Sequence, residues 1–204
     1  MNSTIIRVFD ILLATLAIIL LSVPMLILAL LIWNDDRGPV LFRQWRVGQN
    51  GAHFKILKFR TMTVDPDRFL GDASGKTAAN LGKERAKFRT TTVNDPRITK
   101  IGRYLRSSHM DELPQFFNVL FGDMSIIGVR PDTPVQESDY SPDYWVERHR
   151  LRPGITGPAQ LKSDTANLAQ RSALELTWIQ NATVKDYFRI IFATVLKVVK
   201  RSGN

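Results

Sequence analysis

The chain has 204 residues, 44% of them hydrophobic, enough for one domain with a modest core. Its 28 Lys and Arg against 19 Asp and Glu give a formal net charge of +9, which points to an acidic partner: nucleic acid, anionic lipid head groups or a phosphorylated small molecule. With no cysteine a disulfide framework and a thiolate metal site are excluded, and the scattered His53, His109 and His149 do not make a zinc-ligand cluster.

The first predicted element runs from Ile11 to Trp33, 23 residues without a charge. As a helix it is long enough to cross a hydrocarbon layer of roughly 30 Å. It is too long for a cleavable signal, and no small-x-small site follows it. Ser22-Val23-Pro24 falls in mid-run, where proline removes a helical hydrogen bond and a serine hydroxyl can take up a freed carbonyl. A kink is expected there, and a kinked span and a helix that turns back are both open on physical grounds. Next, Val40 to Gln44 and Ala52 to Phe59 read as two strands around the turn Gly48-Gln49-Asn50-Gly51, a hairpin. Trp33 and Trp45, with Arg43 and Arg46, have the character of groups at head-group depth, while Lys55, Lys58 and Arg60 by themselves read as a solvated face.

Val64 to Asp95 is polar and reads as a long loop with at most a short helix around Asn80 to Phe88. Within it, Gly71 to Thr77 imitates a phosphate-binding loop, but only three residues separate the glycines where the cradle needs four, and no buried strand precedes it.

The stretch Arg97 to Pro131 is the densest in groups that could do chemistry. Arg103 and Arg106 lie one turn apart on a helix from about Thr99, so both can face one side and approach Asp111 and Glu112. The two carboxylates precede Leu113-Pro114, which alone would describe a capped helix start. Beyond it, Asp132 to Pro142 is turn-rich, Tyr144 to Leu151 is a short helix, and Arg152 to Pro158 is a rigid turn that places another cation. Leu168 to Asn181 is helical by pattern and carries Glu175. From Val184 to Arg201, Tyr187, Ile191, Val195 and Val198 recur at helical spacing with lysines and arginines elsewhere. Such a helix can lie in a membrane interface, the reading preferred here, or pack its apolar side on the core.

The run Gly102 to Pro131, with Lys58-Phe59-Arg60-Thr61-Met62, Arg152-Pro153-Gly154-Ile155-Thr156-Gly157 and Arg7-Val8-Phe9-Asp10, resembles the bacterial sugar transferases, the monotopic phosphoglycosyl transferases. The motifs occur in order over most of the chain. The resemblance implies an α+β, mainly helical protein: a re-entrant membrane helix over residues 1–34, broken at Ser22 and Pro24, then a small hairpin and a compact helical catalytic domain over residues 35–204 with amphipathic interface helices. That domain would work on the cytoplasmic face of the bacterial inner membrane. The chain departs from the family pattern at Val23, at Val129, from Pro158 to Ser163, and at Glu175, where the family usually carries Asp.

The implied substrates are a UDP-sugar and a polyprenyl phosphate, with UMP released, Mg²⁺ as cofactor and anionic lipid as a further partner. Asp111 would be the nucleophile and Glu112 its partner, both near the metal. Lys58, Arg60, Arg103 and Arg106 would meet phosphate, Arg130 and Pro131 the nucleotide, and Arg152 and Glu175 would be further polar site groups. Two rivals stand beside this reading. A membrane-tethered nucleic-acid-binding protein explains the charge, but no recognition helix or stacking-aromatic motif is evident, and no nucleic-acid partner is expected. A glycosyltransferase that passes only the sugar would release UDP instead of UMP.

Overall fold

In a computed structural model the chain is described over residues 3–64, 95–162 and 168–202. Nearly all of the polar loop from Val64 to Asp95, with its expected short helix and the Gly71 to Thr77 imitation, lies outside these residues, as does Ser163.

Helix α1, Ser3–Asp36, is one continuous 34-residue helix with Pro24 inside it. At 1.5 Å per residue it is about 51 Å long. It runs through Pro24 without a break. Proline has no N–H for the Leu20 carbonyl, and the Ser22 hydroxyl donates instead to the Ile19 carbonyl at 2.8 Å. The serine therefore does not replace the bond that Pro24 removes, which differs from the sequence expectation. The helix is apolar and long enough to cross a membrane by length and composition, and 11% of its most apolar window is buried. Ile5, Val8, Leu12, Leu16, Ile19, Val23, Leu26, Leu30 and Trp33 form an exposed apolar stripe at spacings of three and four.

Both ends of α1 are seated on the rest of the chain. Near the N-terminus, Ile6 and Ala14 join a core cluster with Val119, Met124, Ile126 and Tyr187. Buried Asp10 accepts from Ser125 Oγ at 3.0 Å, Ile126 N at 2.9 Å and Tyr187 Oη at 2.8 Å. Near the C-terminus, Leu28 and Ile32 pack with Phe59 and Leu105 in a second cluster. Asp36 accepts from the Val64 N–H at 2.7 Å.

The hairpin forms as β1, Leu41–Val47, antiparallel to β2, His53–Phe59, with Leu41 opposite Phe59 and Val47 opposite His53. Alternation puts Phe42, Gln44 and Arg46 on one face with Phe54, Ile56 and Lys58, and this face carries the site. Helix α2, Lys100–Ser108, starts at Thr99, whose hydroxyl accepts from Gly102 N at 2.9 Å. A Cβ on Gly102 would lie 2.1 Å from the Thr61 carbonyl oxygen, so glycine lets α2 sit directly on the chain leaving β2.

A short 3-10 turn over Met110–Glu112 leads into α3, Gln115–Phe121, which ends on Gly122 in the left-handed region at φ 96°. The carbonyls at that end are served by arginines: Arg7 donates to Val119 and Leu120 at 2.6 and 2.9 Å, and Arg152 to Gly122 at 2.8 Å. Strand β3, Ser125–Ile127, pairs in parallel with β4, Gly154–Thr156, and α4, Pro142–Arg148, lies between them in sequence. The turn expected at Arg152 to Pro158 thus contains a strand.

A single turn of helix, α5, Pro158–Leu161, precedes α6, Leu168–Asn181, and α7, Val184–Ser202. The apolar row expected on α7 divides: Tyr187 is fully buried in the core, whereas Val195 and Val198 are exposed beside Phe188, Phe192 and Leu196. Full burial of each large core side chain, such as Tyr187, Leu105 or Met124, contributes about 1.5–3 kcal/mol.

Candidate active site

His109 closes α2 at φ 58°, ψ 15°, left-handed backbone that a histidine visits more readily than most residues. The reversal carries Asp111 and Glu112 back under the end of β2, where Lys58 projects. Lys58 Nζ donates to Glu112 Oε1 at 2.5 Å. Asp111, half-buried, has no ion pair among the described residues, and its carboxylate accepts from its own backbone N–H. The adjacent carboxylates consequently differ in acidity. Burial and the negative charge of Glu112 push Asp111 up, against the pull of Lys58 and Arg106. Burial also acts to raise Glu112, but Lys58, with Arg130 and His109, outweighs it and holds that carboxylate below the usual range.

Arg106 is half-buried, and its Nε donates to Thr61 Oγ1 at 2.8 Å. Burial lowers its pKa, while the charges of Asp111 and Asp95 act to raise it. A cleft beside the pair is lined by Lys58, Glu112, Arg130 and Pro131, with Arg46, Ile56, Gln115, Gly154, Ile155 and Gln160. It brings residues from β1, β2, the segment after β3, β4 and α5 to the mouth of the 3-10 turn.

Several residues singled out in the sequence stand elsewhere. Arg103 is exposed and its side chain makes no hydrogen bond or ion pair among the described residues, so the pair expected to converge on the carboxylates is reduced to Arg106. Buried Arg60 turns to α1: Nη2 donates to the Ile32 carbonyl at 3.5 Å, and Nη1 lies 3.7 Å from Asp36. The strand ends at Phe59, so the alternation that would aim Arg60 with Lys58 has lapsed. Arg152 holds the end of α3.

Glu175 lies in a buried network behind the cleft. Arg148 binds Glu175 through Nη1 and Asp132 through Nε at 2.5 Å, and Tyr144 donates to Glu175 at 2.9 Å. Arg148 Nη2 also donates to the Arg130 carbonyl at 3.1 Å, so the network supports the backbone of a cleft residue. Burial raises Glu175, against Arg148.

Sequence reasoning missed Arg46, assigned with Trp33 and Trp45 to head-group depth. The tryptophans are exposed, under Arg37 at 4.2 Å and Lys55 at 4.9 Å, but Arg46 turns into the cleft and donates to the Pro131 carbonyl at 3.0 Å. The strand period held the signal, since Arg46 and Lys58 both fall on the even-numbered face of the hairpin.

Among the described residues no cluster of three or more His, Cys, Asp or Glu could hold a metal. Asp111 and Glu112 are the carboxylates at the site. Two hard oxygen donors fit Mg²⁺, which keeps several waters and takes substrate phosphate oxygens.

Residues 1–201 match the family described as bacterial sugar transferase. The chain is 37% identical over 201 residues to a UDP-glucose:undecaprenyl-phosphate glucose-1-phosphate transferase of Klebsiella pneumoniae, covering 94% of this chain and 39% of that protein. It is 38% identical over 207 residues to the exopolysaccharide production protein PSS of Rhizobium leguminosarum bv. phaseoli, covering 96% and 95%. A UDP-N-acetylgalactosamine-undecaprenyl-phosphate N-acetylgalactosaminephosphotransferase of Aeromonas hydrophila is 37% identical over 203 residues, covering 97% of this chain and 44% of that one. The chain thus spans about two fifths of two of these relatives and nearly the whole of the third.

Proposed function

The chain belongs to the bacterial sugar transferase family, and on that premise we propose that it transfers a sugar 1-phosphate from a UDP-sugar to undecaprenyl phosphate, releasing UMP. The observation that carries the mechanism is the asymmetry of the carboxylate pair: Glu112 is bound by Lys58, and half-buried Asp111 beside it has no cation in contact. Environments that drive two neighbouring carboxylates apart assign them different roles. A carboxylate oxygen of Asp111 attacks the phosphorus that bears the sugar, the bond from that phosphorus to the UMP oxygen breaks, and the sugar phosphate is left as an acyl phosphate on Asp111. A phosphate oxygen of the lipid acceptor then attacks the same phosphorus and displaces the carboxylate. The product is a polyprenyl diphosphate sugar and the enzyme is regenerated.

Arg106, the cation left near Asp111 once Lys58 is paired with Glu112, would face the charge of the transferring phosphoryl group. Mg²⁺, held by Asp111 and Glu112, would supply charge neutralisation at the diphosphate.

The reaction needs the lipid phosphate and the water-soluble donor at one cleft. The seating of both ends of α1 on the same folded body supports an anchor that enters and leaves the membrane on one side. On this reading the exposed stripe of α1 and the exposed residues of α7 face lipid, with the cleft on the cytoplasmic face. The experiment that tests the function is nucleotide identification: with UDP-sugar, Mg²⁺ and undecaprenyl phosphate the product is UMP. UDP as the product would replace this reading with sugar transfer.

A further inference from the structure

The cleft holds three cations, Arg46, Lys58 and Arg130, against one carboxylate, Glu112. Lys58 neutralises that carboxylate at 2.5 Å, so the two guanidiniums are left without a carboxylate there. Asp132, whose charge also acts on Arg46, is engaged by Arg148 through both of its oxygens, at 2.5 and 3.4 Å. Arg46 is nonetheless half-buried. Its Nη1 bonds the Pro131 carbonyl at 3.0 Å and its Nη2 bonds Gln44 at 2.7 Å, which fixes the fork, and its Nε is buried with no partner. Arg130 is exposed at the cleft and its positive charge acts against that of half-buried Arg46, a repulsion that an anion between them relieves. The charge that fits is spread over two centres, because the two arginines come from different elements: Arg46 from β1 and Arg130 from the segment after β3.

We propose that Arg46 and Arg130 form a paired guanidinium clamp for a diphosphate, the diphosphate of the nucleotide donor. The proposal rests on the transferase reading for the identity of that donor, and on the cleft alone for the diphosphate. It makes Arg46 a substrate-binding residue. The bond from Arg46 to the Pro131 carbonyl then has a further effect, since it ties one half of the clamp to the turn that carries the other. A fork with its geometry fixed in advance binds phosphate oxygens with less loss of side-chain freedom than a flexible lysine.

The test is binding of UDP and of UMP to the full chain in lipid nanodiscs, for wild type, Arg46→Gln and Arg46→Lys, beside UMP release by wild type from UDP-sugar. Arg46→Gln should weaken UDP about tenfold or more and UMP by less than about threefold, with Arg46→Lys between, because a charge-assisted bond to the second phosphate is lost. Unchanged UDP affinity, or equal losses for UDP and UMP, would overturn the clamp and leave Arg46 as a support for the Pro131 turn. Should Arg46→Gln fail to fold, competition on wild type decides. Inorganic pyrophosphate must displace UDP better than phosphate does, and equal displacement counts against the clamp. The two readings separate cleanly. UMP release with an unaltered UDP affinity in Arg46→Gln sinks the clamp alone, and a lost UDP affinity with no UMP release by wild type sinks the transfer alone.

Discussion

Lys58 Nζ and Glu112 Oε1 lie 2.5 Å apart, and this one ion pair distinguishes two carboxylates that are neighbours in sequence. Both sit in the same 3-10 turn and both are partly buried. Glu112 has a cation in contact and is held acidic, while Asp111 has none in contact and is pushed up by burial and by Glu112. A poorly solvated carboxylate without a cation in contact is the better attacking group, and an ion-paired one the better fixed ligand.

The pair makes the pH dependence testable. The active form needs Asp111 ionised, and its pKa is raised, so the rate should fall as pH drops through that raised value. Lys58 lowers both carboxylates, so Lys58→Met should move the acid limb to higher pH as well as slow the reaction. Glu112, depressed in the folded state, contributes stability above its ordinary value that is lost as pH falls, and that contribution should disappear in the variant. UMP release followed from acid to neutral pH reads the limb directly. A limb that stays in place or moves down would remove Lys58 from the site electrostatics.

Arg103 and Arg106 should separate in activity. Arg106→Ala removes a cation that acts on Asp111 and is oriented by Thr61, and its loss should raise the barrier on the order of 3 kcal/mol. The Arg103 side chain is exposed and unpaired among the described residues, and Arg103→Ala should change the barrier by less than about 0.5 kcal/mol. Steady-state rates of the two variants decide this, and equal losses would mean that Arg103 swings into the site when substrate binds.

Arg148 is buried between Asp132 and Glu175. Arg148→Met strands both carboxylates and should cost about 3–5 kcal/mol of stability. Glu175→Gln keeps a group for Tyr144 and Arg148 to bond, and should cost about 1–2 kcal/mol. Denaturant unfolding measures both. A stable Arg148→Met with weakened nucleotide binding would show that the network holds Arg130 without holding the fold.

The hairpin and the long helices were legible because their periods are strong: strands expected at Val40 to Gln44 and Ala52 to Phe59 form at Leu41–Val47 and His53–Phe59, with α6 over Leu168–Asn181 and α7 from Val184. The β3–β4 pair was not, since three-residue strands show no alternation and a parallel partner 29 residues away leaves no local mark. Motif resemblance brought Asp111, Glu112, Lys58, Arg106 and Arg130 into view. It could not tell Lys58 from Arg60, two residues on, because the deciding fact is where β2 ends and that Asp36 and Ile32 of α1 are there to receive Arg60. Arg46 was hidden because the expected strand stops at Gln44, short of the β1 end at Val47, so the face it shares with Lys58 was not drawn through it.

The anchor gives a topological prediction. The chain has no cysteine, so single cysteines at Ser3 and at Asn34 report the two ends of α1 without background. Both should react with an impermeant maleimide only from the cytoplasmic side in inverted vesicles. Replacing Ser22 with Leu and Pro24 with Ala restores the missing backbone bond and should favour full crossing, moving Ser3 to the other side. A wild-type Ser3 cysteine labelled from outside intact cells would contradict the one-sided anchor.

The central claim is that Asp111 carries the sugar phosphate, and intact-protein mass after incubation with UDP-sugar and Mg²⁺, without the lipid acceptor, tests it most directly. The account predicts a burst of about one equivalent of UMP and an added sugar phosphate on Asp111, consumed when undecaprenyl phosphate is supplied. Asp111→Asn should lose both burst and adduct while still binding nucleotide, whereas Glu112→Gln should slow the burst but keep it. An adduct on Glu112, or turnover near wild type in Asp111→Asn, would contradict the assignment.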